Sequence, residues 1–319
     1  MNIKNIFKNK LIYFILCAFF LWYVFPYIPL NKVLSAVPKT FVYHNFVVGI
    51  IIIISMILSA IINMFVQFGL VFEMAKLRLN YKKLILLCFV SVIFIVLCVI
   101  WIEHYLIITK PEVFAHKGNY LSHLLIVCKN IGSKFIGSLP QRGFINFFII
   151  VLSFAFGSLL SYIVREKNLL VPVMICCAFI DIWTCTQGFV SKVIAKTPEI
   201  VSGVSSGVSM LGGSNISIPI LATIGPGDFI FSALVFSVVI RFNMNSRKTF
   251  WYMFGFLTFG MLLIVLGILP ILPALICVAL GTIIANRKEF NLNKSEKSSV
   301  ATVFLLLLII LIIFKFVVK

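Results

Sequence analysis

Residues 84–102 read LILLCFVSVIFIVLCVIWI, nineteen positions with no charge and a single hydroxyl, Ser91. About 20 apolar residues in a helix match the hydrocarbon thickness of a bilayer. The run is too long for a buried strand and has no polar face for a surface helix. The same pattern recurs along the chain. Apolar windows fall at residues 11–30, 46–72, 84–108, 143–164, 168–190, 216–240, 249–268, 270–286 and 299–317. Of 319 residues, 62% are hydrophobic and 11% charged, and the mean hydropathy is +1.15. Those values exclude a soluble globular domain, a disordered chain and a coiled coil. The expected fold class is an all-α polytopic membrane protein of about nine transmembrane helices.

The formal charge of +18 does not imply nucleic acid. The basic residues form short clusters between apolar windows, such as Lys76, Arg78, Lys82 and Lys83. That is where membrane topology places them, and the partner they imply is the lipid bilayer. Arg241, Arg247 and Lys248 follow one window, and Arg287, Lys288, Lys294 and Lys297 follow another. Both ends are therefore expected to be cytoplasmic. Lys4, Lys8 and Lys10 precede the first window, which runs past Trp22 without a small-residue cleavage site. It reads as a retained helix. Segment 119–128, NYLSHLLIVC, is short and polar, suited to lying in the interface or re-entering. The eight cysteines form no CxxC pair, and the four histidines have no ligand spacing. The cysteines read as small buried hydrophobes, and no metal or cofactor is expected.

Seven of the nine acids are glutamates at helix ends or in loops. The other two, Asp181 and Asp228, lie inside apolar windows, in AFIDIWTC and IGPGDFIF. An ionisable group in lipid costs at least about 2.5–3.5 kcal/mol on translocon scales. Hydrogen bonding between helices explains one such residue more easily than two. A pair of carboxyls in a low-dielectric site titrates as a unit and shares one proton. The ionised member can take a proton from water while the protonated member polarises a peptide carbonyl. Gly225 and Gly227 beside Asp228 leave room for a substrate backbone, and Pro226 is tolerated near a helix start. In LPILPALI, residues 269–276, Pro270 and Pro273 precede an apolar helix and leave backbone groups free. At membrane depth such backbone must line a cavity or be buried in protein. It could pair with an unwound substrate by strand addition, or simply form a turn between two helices.

IDIW, GPGD with its acid 47 residues after Asp181, and PILPAL together resemble the presenilin and signal peptide peptidase family of intramembrane aspartyl proteases. The likeness covers about residues 168–286 and is nearer to signal peptide peptidase, through FSALVFSVVIRFNMNSRKTF after GPGD. It implies a presenilin-like helix bundle with a water-accessible intramembrane cavity. Asp181 and Asp228 match the catalytic pair. Gly225, Pro226 and Gly227, with Pro270, Leu272, Pro273, Ala274 and Leu275, match substrate-binding positions. The PAL motif falls on Pro273, Ala274 and Leu275 when read literally, or runs from Pro270 to Pro273 if the first proline is aligned. Three departures stand out. Ile180 precedes Asp181 where the family has tyrosine, four windows rather than five precede the first aspartate, and 299–317 is an extra window.

The expected function is therefore an intramembrane aspartyl endopeptidase acting on membrane-spanning peptide substrates, with remnant signal peptides as one class. Three parts are expected: N-terminal helices over 1–167 for scaffold and substrate access, a catalytic part over 168–286, and a basic loop with a further helix over 287–319. The host is expected to be a prokaryotic cytoplasmic membrane, with the GPGD end on the non-cytoplasmic side. Two alternatives stand beside this. One is a proton-coupled transporter or channel with a carboxylate pair, although no inverted repeat is visible. The other is a prepilin-type peptidase, which shares GxGD but would not need the PAL-like segment.

Overall fold

The computed structural model describes residues 10–24, 46–109, 140–186, 206–207, 223–265, 268 and 273–317. Among these it contains nine α-helices: α1 Lys10–Phe19, α2 Phe46–Ala75, α3 Tyr81–Thr109, α4 Pro140–Ser161, α5 Leu170–Thr186, α6 Pro226–Arg241, α7 Ser246–Val265, α8 Ala274–Ala285 and α9 Lys294–Val317. A π-helical turn, Phe20–Val24, extends α1, and a 3-10 turn, Lys167–Leu169, leads into α5. The only described strands are β1, Ser206–Gly207, and β2, Thr223–Ile224, which pair antiparallel with Ser206 opposite Ile224. The fold is all-helical.

Each apolar window holds one helix, but not every helix is a span. Ile57–Ala75, Tyr81–Tyr105, Gly143–Ser161 and Lys167–Cys185 are long and apolar enough to cross a membrane, which makes the chain a multi-pass membrane protein. The windows at 216–240 and 270–286 are near bilayer length, yet α6 has 16 residues and α8 has 12. At 1.5 Å per residue these reach about 24 and 18 Å, short of a core of about 30 Å. Proline explains both. Pro226 is the first residue of α6 and Pro273 sits immediately before α8, and neither can continue a helix from its N-terminal side. Segment 119–128 lies outside the described residues.

The helices sort into two compact units that are not consecutive in the chain. The first holds α1, α2 up to Met74, α3 from Leu86, α4 up to Ser153 and the strand pair. Cys98 and Ile102 of α3 pack with Ile145 and Ile149 of α4, beside a parallel stack of Phe94 on Phe148 at 4.6 Å. The opposite side of α3 presents Leu86, Phe89, Ile93 and Leu97, all exposed, as a lipid-facing helix should. On α2, Ser59, Asn63 and Gln67 recur every fourth residue and all are buried. The first unit therefore carries interior polarity on one line of α2: small polar letters in an apolar run read as background until the helix turns them onto one face. Asn63 Nδ2 donates to Ser59 O at 2.9 Å. The Gln67 amide has no hydrogen-bond partner among the described residues.

The second unit holds Ala75–Ile85, α4 from Phe154, α5, α6 from Gly227, and α7 to α9. Small residues set its close contacts. A Cβ on Gly157 of α4 would collide with Ile230 O of α6, and one on Gly281 of α8 would lie 2.7 Å from Met253 Cα of α7. Close backbone approach through glycine is the usual means of packing helices in lipid. Asn286, just past α8, is 1% exposed. Its Nδ2 donates to Thr249 Oγ1 at 2.7 Å and Thr282 O at 3.0 Å, and its Oδ1 accepts the Asn245 N–H at 3.1 Å. The amide thus ties the start of α7 to the end of α8. Asn243 ends α6 in the left-handed region, φ 53°, with Met244 N–H reaching back to Val239 O at 2.8 Å, as at many helix C-termini.

Candidate active site

Asp181 lies on α5, five residues before its end, and is half-buried. Its Oδ2 accepts the backbone N–H of Leu275 at 2.9 Å. Leu275 is the second residue of α8, whose cap position is Pro273, with φ −71°, ψ 94° and no side-chain cap bond. The first turn of a helix leaves N–H groups without internal partners, and a cap side chain normally takes one. Proline has no such group. The carboxyl of Asp181, 94 positions away in sequence, supplies the acceptor, and the helix dipole favours an acid there. The literal PAL triplet therefore meets Asp181 through its backbone. Pro270 and Leu272, with the alternative alignment of the motif, lie outside the described residues.

The other oxygen, Oδ1, is 3.5 Å from Cys185 Sγ, one helical turn on along α5. The thiol donates, so Asp181 is held at both oxygens. Thr184 Oγ1 donates to Asp181 O at 3.0 Å. Cys185 is half-buried and Cys277 of α8 is buried. The reading of the cysteines as small apolar filler holds for Cys277 but is incomplete for Cys185, which bonds an acid. The signal was available as the spacing of four between Asp181 and Cys185, which puts them on one helix face.

Asp228 is the third residue of α6, after Pro226 and Gly227. Proline at the first helical position and an acid in the first turn are both favourable. Asp228 is half-buried, as are Gly225, Pro226 and Gly227. Gly227 has ordinary backbone geometry, and a Cβ there would meet no described atom within 4 Å. The glycine is thus not needed for the turn. It leaves open space next to the acid.

The bond from Leu275 N–H to Asp181 joins α5 to the head of α8, and Asp228, in the first turn of α6, belongs to the same compact unit. Pro273 and Ala274 accompany Leu275 at the head of α8. Among the described residues no group of three or more His, Cys, Asp or Glu is placed to hold a metal ion.

Comparison with protein-family models, curated proteins and solved structures finds no match to this chain.

Proposed function

We propose that the chain is an intramembrane aspartyl endopeptidase of a prokaryotic cytoplasmic membrane, with Asp181 and Asp228 as its acid–base pair. One observation carries the reading: the chain's only two aspartates sit on separate apolar helices of one compact unit, and Asp181 accepts a hydrogen bond from the head of the PAL-like helix. In the reaction, an ionised carboxylate takes a proton from water as the water oxygen bonds to the peptide carbon. The neutral partner gives its proton to the carbonyl oxygen. As a hydroxyl of the resulting gem-diol returns a proton to the partner that gave one, collapse of the tetrahedral intermediate breaks the C–N bond, and the amine leaves with the proton held by the other carboxyl. The presenilin-like bundle, the water-accessible cavity and the substrate contacts at Gly225, Pro226, Gly227 and Pro270 to Leu275 belong to this same proposal.

The test is cleavage of a tagged single-span peptide by the purified chain in detergent. It should occur with wild type, stop with a hydroxyl-bearing transition-state mimic, and be absent from Asp181→Asn and Asp228→Asn. Residual cleavage above a few per cent in either variant would argue against a shared site. The rate should fall on the alkaline side as the pair loses its shared proton. A rate that keeps rising with pH would point to another kind of nucleophile. A second reading rests on the two short helices: half-length helices ending near acids are also used by proton-coupled transporters. Proton flux into proteoliposomes, abolished by the same variants and without cleavage, would select it.

A further inference from the structure

A cleft of about 120 Å³, lined by neither aspartate, lies at the C-terminal ends of α2, α4 and α6. One water needs only roughly 10–15 Å³. Ser158 and Ser161, both buried, lie inside it with half-buried Ser237; Arg78, Arg241 and Tyr162 stand at its edge. All six belong to the second unit.

We propose that this cleft binds a phosphate oxyanion, presented in the membrane as the headgroup of an anionic phospholipid. The two arginines carry the argument. Arg78 Nη2 donates to Ile240 O at 2.9 Å and to Asn243 Oδ1 at 3.0 Å. Arg241 Nη2 donates to Ser161 O at 2.7 Å and also to Val164 O. Every one of these acceptors is a neutral oxygen. Among the described residues neither guanidinium has a carboxylate partner and neither donates a hydrogen bond through Nε or Nη1, while Arg241 also lies over the rings of Tyr162 and Phe242. A guanidinium offers five donors in a planar fork that matches phosphate. The bonds already made hold the forks in place, so little side-chain freedom remains to be lost on binding.

Charge favours the same ligand. Each helix C-terminus contributes roughly half a negative charge. Three such ends offset most of the two guanidinium charges and leave a net positive remainder. Lys82, Lys83, Arg165 and Lys167 lie close by in sequence, at the end of the chain's helices where the positive-inside pattern puts anionic headgroups. The hydroxyls complete the set. Ser158 Oγ and Ser237 Oγ share one bond at 2.8 Å, so one of the two O–H groups has no acceptor among the described residues. Arg78 has φ 46°, a conformation that favours Gly or Asn.

Intact-protein mass spectrometry on the full chain in detergent tests this, with phosphatidylglycerol and phosphatidylcholine offered in turn. Wild type should retain one phosphatidylglycerol and discriminate against phosphatidylcholine. Arg78→Gln with Arg241→Gln should weaken retention at least about tenfold, the worth of one charge-assisted hydrogen bond. Lys82→Gln with Lys83→Gln removes equal charge from exposed positions on the same side and should cost at most about fivefold. If the arginine pair fails to fold, judged by its melting midpoint, Ser158→Val with Ser237→Val keeps both guanidinium groups and fills the cleft, and should also lose the lipid. Displacement by inorganic phosphate would show that the oxyanion alone suffices. Retention in its presence would show that the lipid is the source. Equal binding of the two lipids, or an equal loss in the lysine pair, overturns the proposal.

Discussion

Asn286 and Gln67 carry the same functional group and are equally hidden, each 1% exposed. In the second unit, Asn286 bonds through both its nitrogen and its oxygen. In the first, Gln67 finds no partner among the described residues. A buried amide without bonds costs free energy, whereas a bonded one contributes a modest net gain and a fixed geometry. In the unit that holds the two aspartates, Asn286 thus ties helix to helix. Asp181 follows the same rule, with a backbone N–H at one oxygen and a thiol at the other. The contrast teaches that polarity inside an apolar bundle has no single meaning: its partners decide whether it is a fastening or a burden.

Asp181→Asn and Asp228→Asn should have the largest effects, each lowering cleavage by at least about a hundredfold. Asparagine at 181 still offers an oxygen to Leu275 N–H, so the protein should stay folded. Asp181→Leu removes the acceptor as well and should lower the melting midpoint too. Equal stability of the two variants would break the analogy between Asp181 and Asn286. Next comes Asn286→Leu, which strands the Asn245 N–H and should destabilise by about 1–3 kcal/mol. Chemical or thermal unfolding in detergent reads this directly. Gly227→Val should slow cleavage about tenfold or more while leaving the melting midpoint near wild type, because the space it enters is empty of described atoms and one misplaced contact near reacting atoms is costly. A drop in stability instead would mean that the space is used for packing. The smallest effect is expected from Gln67→Leu, a gain of up to about 1 kcal/mol. A clear loss would show that Gln67 is bonded after all and would erase the contrast.

Much of this was legible in the letters. Lipid permits few backbone solutions, so uninterrupted apolar runs announced helices. An aspartate in such a run stands out because its placement is expensive. Helix length was harder to read. Apolar residues continue through Pro226 and Pro273, so hydropathy saw one window where the backbone makes a short helix. The bond that positions Asp181 was invisible for another reason: its donor is the main chain of Leu275, and a backbone N–H has no letter. Gln67 and its neighbours on α2 were passed over because each looks minor alone, and only their four-residue spacing turns them into a line.

The bond from Leu275 to Asp181 also makes the site self-reporting. A charge-assisted hydrogen bond weakens when its acceptor gains a proton, so the amide nitrogen resonance of Leu275 should move as Asp181 titrates. Its hydrogen exchange should quicken whenever α8 frays at its head. One isotopic label on a leucine would then register the charge state of a distant helix, without substrate and without turnover.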